Sequence, residues 1–177
     1  MTSYRHLVLG GGMVAGYLAK EYAEKNGRSG DLAIISGDNA PPYERPPLSK
    51  SFLAGKDTES SVLISQPDFY SQHGIELRLN TNIVSIDTQR KQLQTESGEE
   101  LGFEKLVLAT GAQVRKLDVA GASSETVLYL RSLSDSKRIR ENATSGKKAV
   151  VIGGGFIAME VSSVLASRPW RRENRTE

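Results

Sequence analysis

Leu7-Val8-Leu9-Gly10-Gly11-Gly12-Met13-Val14-Ala15 is a short apolar run that breaks into three glycines and restarts as a helix. Apolar side chains recur at Met13, Val14, Tyr17, Leu18 and Tyr22, the spacing of one helical face. Gly27 is the expected helix stop, with Gly30 just beyond. Leu32-Ala33-Ile34-Ile35 reads as a second buried strand. Strand, Gly-rich turn, helix and strand make one βαβ unit. In that setting Gly10 to Ala15 is a dinucleotide fingerprint of the form G-x-G-x-x-A. Gly10 permits the tight turn, Gly12 lets backbone approach a pyrophosphate, and Ala15 lets the helix pack closely on the sheet. The helix N-terminus turns free N–H groups and a positive dipole end toward the phosphates. An acidic residue for a ribose hydroxyl is expected near the end of the second strand. Asp38, just after Ser36-Gly37, is the candidate; the alternative is that it begins a turn with Asn39.

The same opening recurs. Ala149-Val150-Val151-Ile152 reads as another buried strand, followed by Gly153-Gly154-Gly155-Phe156-Ile157-Ala158 and a helical stripe at Ile157, Val161, Val164 and Leu165. This internal repeat is the main organisational feature of the chain. Two dinucleotide turns suggest two nucleotides, one per domain, and a protein holding two redox nucleotides passes a hydride between them. Glu160, just beyond the second turn, is left open by periodicity as either a solvated helix carboxylate or a functional one.

Between the repeats, Pro42-Tyr43-Glu44-Arg45-Pro46-Pro47-Leu48-Ser49-Lys50 forms a Pro-rich loop. Ser65 is expected to cap a short helix with Pro67 and Asp68 in its first turn, ending near His73-Gly74. Strands are expected at Ile83, Val84 and Ile86 and at Lys91 to Thr95, with a turn at Ser97-Gly98. Leu106-Val107-Leu108-Ala109 has the continuous apolarity of a strand buried on both faces. Residues 112–126 read as a crossover and Asp135 to Asn142 as a charged surface helix. Arg168-Pro169-Trp170 is expected to break the last helix.

Composition narrows the classes. Of the 177 residues, 38% are hydrophobic and 25% charged, with no apolar run long enough to span a bilayer. The net charge of +2 comes entirely from residues 168–177, so the body is neutral and no nucleic acid or membrane partner is expected. There are no cysteines, which excludes disulfides, thiolate zinc sites and Cys nucleophiles. His6 and His73 have no metal-ligand company, so no metal is expected. Arg5 ahead of Leu7-Val8-Leu9 has the outline of a signal peptide. The glycines cut it and no cleavage site follows, so a strand entering a turn accounts for it and the cytoplasm is the expected compartment.

The loop from Pro42 to Lys50, set between the first fingerprint and Ala109-Thr110-Gly111, resembles the FAD-dependent pyridine nucleotide-disulfide oxidoreductases. Within them it is similar to the branch of monodehydroascorbate reductases, ferredoxin and rubredoxin reductases and apoptosis-inducing-factor-like proteins. The resemblance runs over about residues 4–166. It implies an α/β fold: a Rossmann-like FAD-binding domain over residues 1–112, with a parallel sheet and an antiparallel segment. The truncated start of a second Rossmann-like NAD(P)H domain would follow over 113–166, and then a non-family tail over 167–177. It implies that Gly10, Gly12, Met13 and Ala15 hold the FAD pyrophosphate and Asp38 the ribose, although in the family the acid often stands where Gly37 does. Arg45 would contact the FAD phosphate or ribityl region, Lys50 would lie beside the flavin, and Ile83 would meet the adenine. Ala109, Thr110, Gly111 and Arg115 would form the second FAD contact. Gly153, Gly155, Phe156, Ile157 and Ala158 would take NAD(P)H. Glu160 would lie near the nicotinamide and pair with Lys50, which alone would read as a surface lysine.

The implied activity is hydride transfer from NAD(P)H to FAD, with Lys50 and Glu160 as the catalytic pair. Electrons would then pass to an acceptor, either a small molecule such as monodehydroascorbate or a redox protein of ferredoxin or rubredoxin type. Without cysteine, a redox disulfide in these residues is excluded, in keeping with that branch. Family members are more than twice as long, so a C-terminal half or partner chain is the expected complement. The other hypothesis is a truncated, non-catalytic FAD-binding remnant, in which the helix after residue 155 exposes an apolar face.

Overall fold

In the computed structural model, which describes residues 1–122, 127–144 and 146–167, the chain divides into two compact units. One comprises Met1–Glu44 with Leu63–Ala112, the other Arg45–Val62 with Gln113–Glu177. The first unit contains β1 (Thr2–Leu9), α1 (Met13–Glu24), β2 (Leu32–Ile35), α3 (Pro67–Gln72), β3 (Glu76–Arg78), β4 (Ile83–Asp87), β5 (Gln92–Thr95) and β6 (Glu100–Leu108). The second contains a 3-10 turn (Pro46–Ser49), α2 (Glu59–Val62), α4 (Leu133–Asn142) and α5 (Phe156–Ser167). The short α2 carries no signal that the sequence reading used.

The sheet of the first unit runs β3-β2-β1-β6-β5-β4. β1 lies parallel to β2 on one side and to β6 on the other, and β2 is parallel to β3. β4, β5 and β6 are antiparallel, so the expected parallel sheet with an antiparallel segment is present. Because side chains alternate along a strand, neighbours in β1 serve opposite faces. Val8, Leu32 and Ile34 pack with Ala15 and Ala19 of α1 and with Tyr70 of α3. Leu7, Ala33 and Ile35 pack with Leu93, Leu101 and Phe103. All four residues of β2 are buried, which a strand inside a covered sheet requires.

α1 ends at Glu24, three residues before the expected glycine. Lys25 caps it, Asn26 takes the left-handed conformation at φ 52°, and the N–H groups of Asn26 and Gly27 donate to Ala23 O and Tyr22 O. That is a Schellman closure with Asn, the tolerated alternative to Gly, at the left-handed position. α3 is capped at Gln66 rather than Ser65, with no side-chain cap bond, and Pro67 stands in its first turn, where its missing N–H and fixed φ suit a helix start. β6 is not buried on both faces. Leu108 is 63% exposed, as it stands at the strand end where β1 also finishes.

The largest departure is at Ala149-Val150-Val151-Ile152, which forms no strand, with Val150 and Ile152 exposed. A parallel strand exists only beside a neighbour that takes its hydrogen bonds, and among the described residues none pairs with it. The helix that follows forms as expected, as does the charged helix α4. α4 begins in a capping box: Ser132 Oγ accepts from Asp135 N, and the Asp135 carboxylate accepts from Ser132 N. The expected break at Arg168-Pro169-Trp170 lies outside the described residues.

Tyr70 is 1% exposed and its hydroxyl has no hydrogen-bond partner among the described residues. Burial pushes its pKa up to about 12. A raised folded value adds stability that is present below the unfolded value of about 10 and is lost as pH rises through the folded one. Tyr70→Phe is therefore expected to weaken the loss of stability across that alkaline window. At neutral pH it is expected to hold or raise stability by about 1 kcal/mol, since it removes an unpaired buried hydroxyl. Urea unfolding at both pH values measures this.

Candidate functional site

The first Gly-rich turn is built by close packing. Gly10 has φ +118°, donates its N–H to Ile35 O, and leaves no room for a Cβ, which would overlap the Ala109 carbonyl. The Ala109 N–H donates to Leu9 O, so β6 and β1 end together at this point. At Gly11 a Cβ would overlap the Ser36 hydroxyl. Gly12 is the N-cap of α1, with no side-chain cap bond and no acid in the first turn. The N–H groups opening α1, Met13 among them, thus meet no competing side-chain acceptor from the cap. Ala15 is fully buried, as close helix–sheet packing requires. Gly16, unremarked in the sequence reading, lies so near Pro42 and Ile64 that a Cβ would meet them at 2.9 and 2.7 Å.

Asp38 stands at the end of β2 in a turn of its own. Its Oδ1 accepts from Asn39 N at 2.8 Å and Ala40 N at 3.4 Å, and its Oδ2 accepts from the Tyr43 hydroxyl at 2.7 Å. Its own N–H donates to Ser36 Oγ at 3.1 Å. The turn-forming alternative is thus realised in the geometry. A carboxylate offers about four acceptor positions, so the turn does not use all of them. Ile83 opens β4 opposite Thr95 and packs on the core cluster below it. Ala109 is half-buried, while Thr110 and Gly111 are exposed, with Gly111 at φ +69°.

In the second unit the Pro-rich loop closes on α4 and α5. Ser136, fully buried, donates to Leu48 O at 2.7 Å, and Arg45 Nη1 reaches Arg131 O at 3.4 Å. Arg140 lies 4.9 Å over the Phe52 ring. Lys50 follows the 3-10 turn, and its Nζ lies 3.2 Å from Glu160 Oε1. The other oxygen of Glu160 accepts a short hydrogen bond from the Ser49 hydroxyl. The pair implied for Lys50 and Glu160 is therefore formed. Ser49 is an addition the sequence reading missed, although it stood beside Lys50 in the quoted loop. The Ser49 hydroxyl, and after it the Lys50 ammonium, hold the Glu160 carboxyl below the usual carboxylate range.

The second Gly-rich turn has the shape of the first and none of its walls. Gly153 has φ +127°, but Gly154 and Gly155 have open space about them among the described residues. Phe156 and Ile157 are exposed and Ala158 is half-buried. Arg115 is exposed and lies in the second unit. Among the described residues no cluster of His, Cys, Asp or Glu is fit to hold a metal, and no helix is long and apolar enough to cross a membrane.

The sequence pattern of the pyridine nucleotide-disulphide oxidoreductases matches residues 4–169. The chain belongs to that family. Among its relatives, the rubredoxin-NAD(+) reductase of Pseudomonas putida is 41% identical over 157 residues, covering 89% of this chain and 41% of that protein. Monodehydroascorbate reductase 1 of Arabidopsis thaliana, a peroxisomal protein, is 40% identical over 182 residues, covering 92% and 41%. The reductase in a covalent putidaredoxin reductase–putidaredoxin complex superposes with a TM-score of 0.81 at 33% identity, covering 94% of this chain and 40% of its own. The chain spans about two-fifths of the length of the relatives it matches. Both relatives are reductases by name, and the disulphide of the family name has no counterpart here, since these 177 residues contain no cysteine.

Two tests follow from this geometry. Gly11→Ala is expected to cost roughly 1–3 kcal/mol by overpacking, because Ser36 Oγ is already engaged by Asp38 N. Gly154→Ala, its counterpart in the second turn, is expected to stay within about 0.5 kcal/mol; urea unfolding of the two variants compares them. The second test concerns Glu160. A depressed folded pKa contributes stability that is present above the unfolded value of about 4.3 and is lost as pH falls through the folded one. Glu160→Gln is therefore expected to lower the urea midpoint at neutral pH and to converge with the parent chain in acid.

Proposed function

We propose that this chain carries the FAD-holding part, and the opening of the NAD(P)H-holding part, of an oxidoreductase that transfers a hydride from NAD(P)H to FAD. Electrons then pass to an acceptor, either monodehydroascorbate or a rubredoxin- or ferredoxin-type redox protein. The observation that carries this reading is the Lys50–Glu160 pair, which joins the Pro-rich loop to the helix opened by the second Gly-rich turn. An ion pair this exposed adds little to stability, so its assembly from two distant stretches points to chemistry. The named relatives, reductases for rubredoxin and for monodehydroascorbate, support the choice of acceptors.

The residues of the first turn fit a dinucleotide pyrophosphate. Gly12 places no side chain over the start of α1, and no acid stands in the first turn to repel an anion. Gly10, Gly12, Met13 and Ala15 would hold the pyrophosphate, Asp38 the ribose, Ile83 the adenine, and Arg45, Ala109, Thr110, Gly111 and Arg115 the remaining contacts. Bound FAD would supply the hydride acceptor and the capacity to release electrons singly. Lys50 contributes a positive charge where negative charge develops during transfer, and Glu160 keeps that ammonium oriented. Gly153, Gly155, Phe156, Ile157 and Ala158 supply the turn for NAD(P)H.

A second reading, FAD binding without hydride transfer by these 177 residues, is favoured by the exposure of Val150, Ile152 and Phe156 around the second turn. One experiment separates the readings. The chain is mixed with FAD, desalted, and titrated anaerobically with NADH while the flavin absorption is followed. Retained bands that bleach within seconds are expected, with Lys50→Met slowing the bleaching about a hundredfold. Retained bands that do not bleach support the second reading, and loss of the bands on desalting removes both.

A further inference from the structure

Glu160 has two holders of unlike character. Lys50 reaches one oxygen with a long side chain that is 55% exposed. Ser49 reaches the other with a short side chain that is 7% exposed, from the last position of the 3-10 turn Pro46–Ser49. That turn is anchored one residue earlier, where the buried Ser136 of α4 donates to Leu48 O at 2.7 Å. The hydroxyl is therefore delivered from fixed backbone through one rotatable bond, and the ammonium through four. A long, solvated ammonium contributes little fixed orientation, whereas a short hydroxyl bonded to a carboxylate is a strong, directional contact. The Ser49 hydroxyl has one proton to donate and lies 3.5 Å from Pro46 O, its other acceptor, so the closer, charged Glu160 carboxylate accepts the hydrogen bond.

We propose that Ser49 is a positioning residue: its hydroxyl, anchored through Leu48 and Ser136, fixes the Glu160 carboxylate, so that Lys50 can turn its charge away without loosening that carboxylate. The inference rests on the proposed hydride transfer for its purpose, but the contact itself exists in the chain without any nucleotide. Lys50 then serves two partners in turn, and Ser49 serves one.

The test is carried out on the full 177-residue chain, labelled with carbon-13 at the glutamate side-chain carboxyl. The Glu160 resonance, assigned by its loss in Glu160→Gln, is followed through an acid titration. The expected result is that Ser49→Ala raises the Glu160 midpoint toward the ordinary glutamate value, and by more than Lys50→Met does. Ser49→Thr, which keeps the hydroxyl, is expected to stay with the parent chain. Glu99, held below the usual carboxylate range by Arg78 in the other unit, is the internal check that the first unit of each variant remains folded, and Ser49→Thr is the check on the second. A Ser49→Ala midpoint shifted no further than that of Lys50→Met overturns the proposal, as does a Ser49→Thr midpoint as high as that of Ser49→Ala. Flavin bands that fail to bleach would count against the hydride-transfer reading alone, because the carboxyl titration is read without flavin. Where the bands do bleach, Ser49→Ala is expected to move the acid limb of the bleaching-rate pH profile upward.

Discussion

Between the Cα of Gly10 and the carbonyl oxygen of Ala109 there is room for hydrogen and nothing larger. That approach lets β1 and β6 end side by side, with Ala109 N bonded to Leu9 O and Gly10 N bonded to Ile35 O. Three strand ends are thereby tied at one place, and α1 starts from it. The sheet behind supplies the stability. Leu7, Val8, Leu32, Ile34 and Ile35 are fully buried, and each such side chain is worth about 1.5–3 kcal/mol. Exposed ion pairs such as Lys25–Glu21 sit on a different scale, about 0.3–0.5 kcal/mol for a helix pair. The apolar strands hold the turn rigid, and the turn then presents the start of α1 uncapped.

The second turn shows what the same residues do without those neighbours. Gly153 adopts almost the backbone angle of Gly10, so the turn is a local property of glycine followed by a helix. The strand before it is different. Val150 and Ile152 carry the β-branched composition of a buried strand and lie exposed, because a strand is made by its partners rather than by its own side chains. Helix α5 forms regardless, since its hydrogen bonds are internal. Val161 is buried, while Phe156, Ile157 and Met159 remain open to solvent.

The site in the second unit follows from the same division between local and distant. Arg45 to Lys50 is a stretch whose prolines restrict the backbone before any tertiary contact forms. α4 then receives it through Ser136 and Arg131, and α5 through Glu160. A carboxylate with a hydroxyl on one oxygen and an ammonium on the other is charged, oriented and still reachable from solvent.

Local signals in the sequence determined much of this protein: the two Gly-rich turns, the helices they open, the buried run of β2, and the membership that the Pro42–Lys50 loop announces. The pairing of Lys50 with Glu160 was legible through resemblance alone, since no spacing along the chain brings the two together. Tertiary structure alone decided which of the two turns is walled, because the atoms nearest Gly10 and Gly11 belong to Ala109 and Ser36, far along the chain. It also decided that Ala149–Ile152 stays unpaired and that Ser49 is the second holder of Glu160. The reason is common to all of these. Periodicity and glycine placement report what a segment does with its own backbone, whereas a hydrogen bond or a packing contact is chosen by which distant atoms arrive beside it.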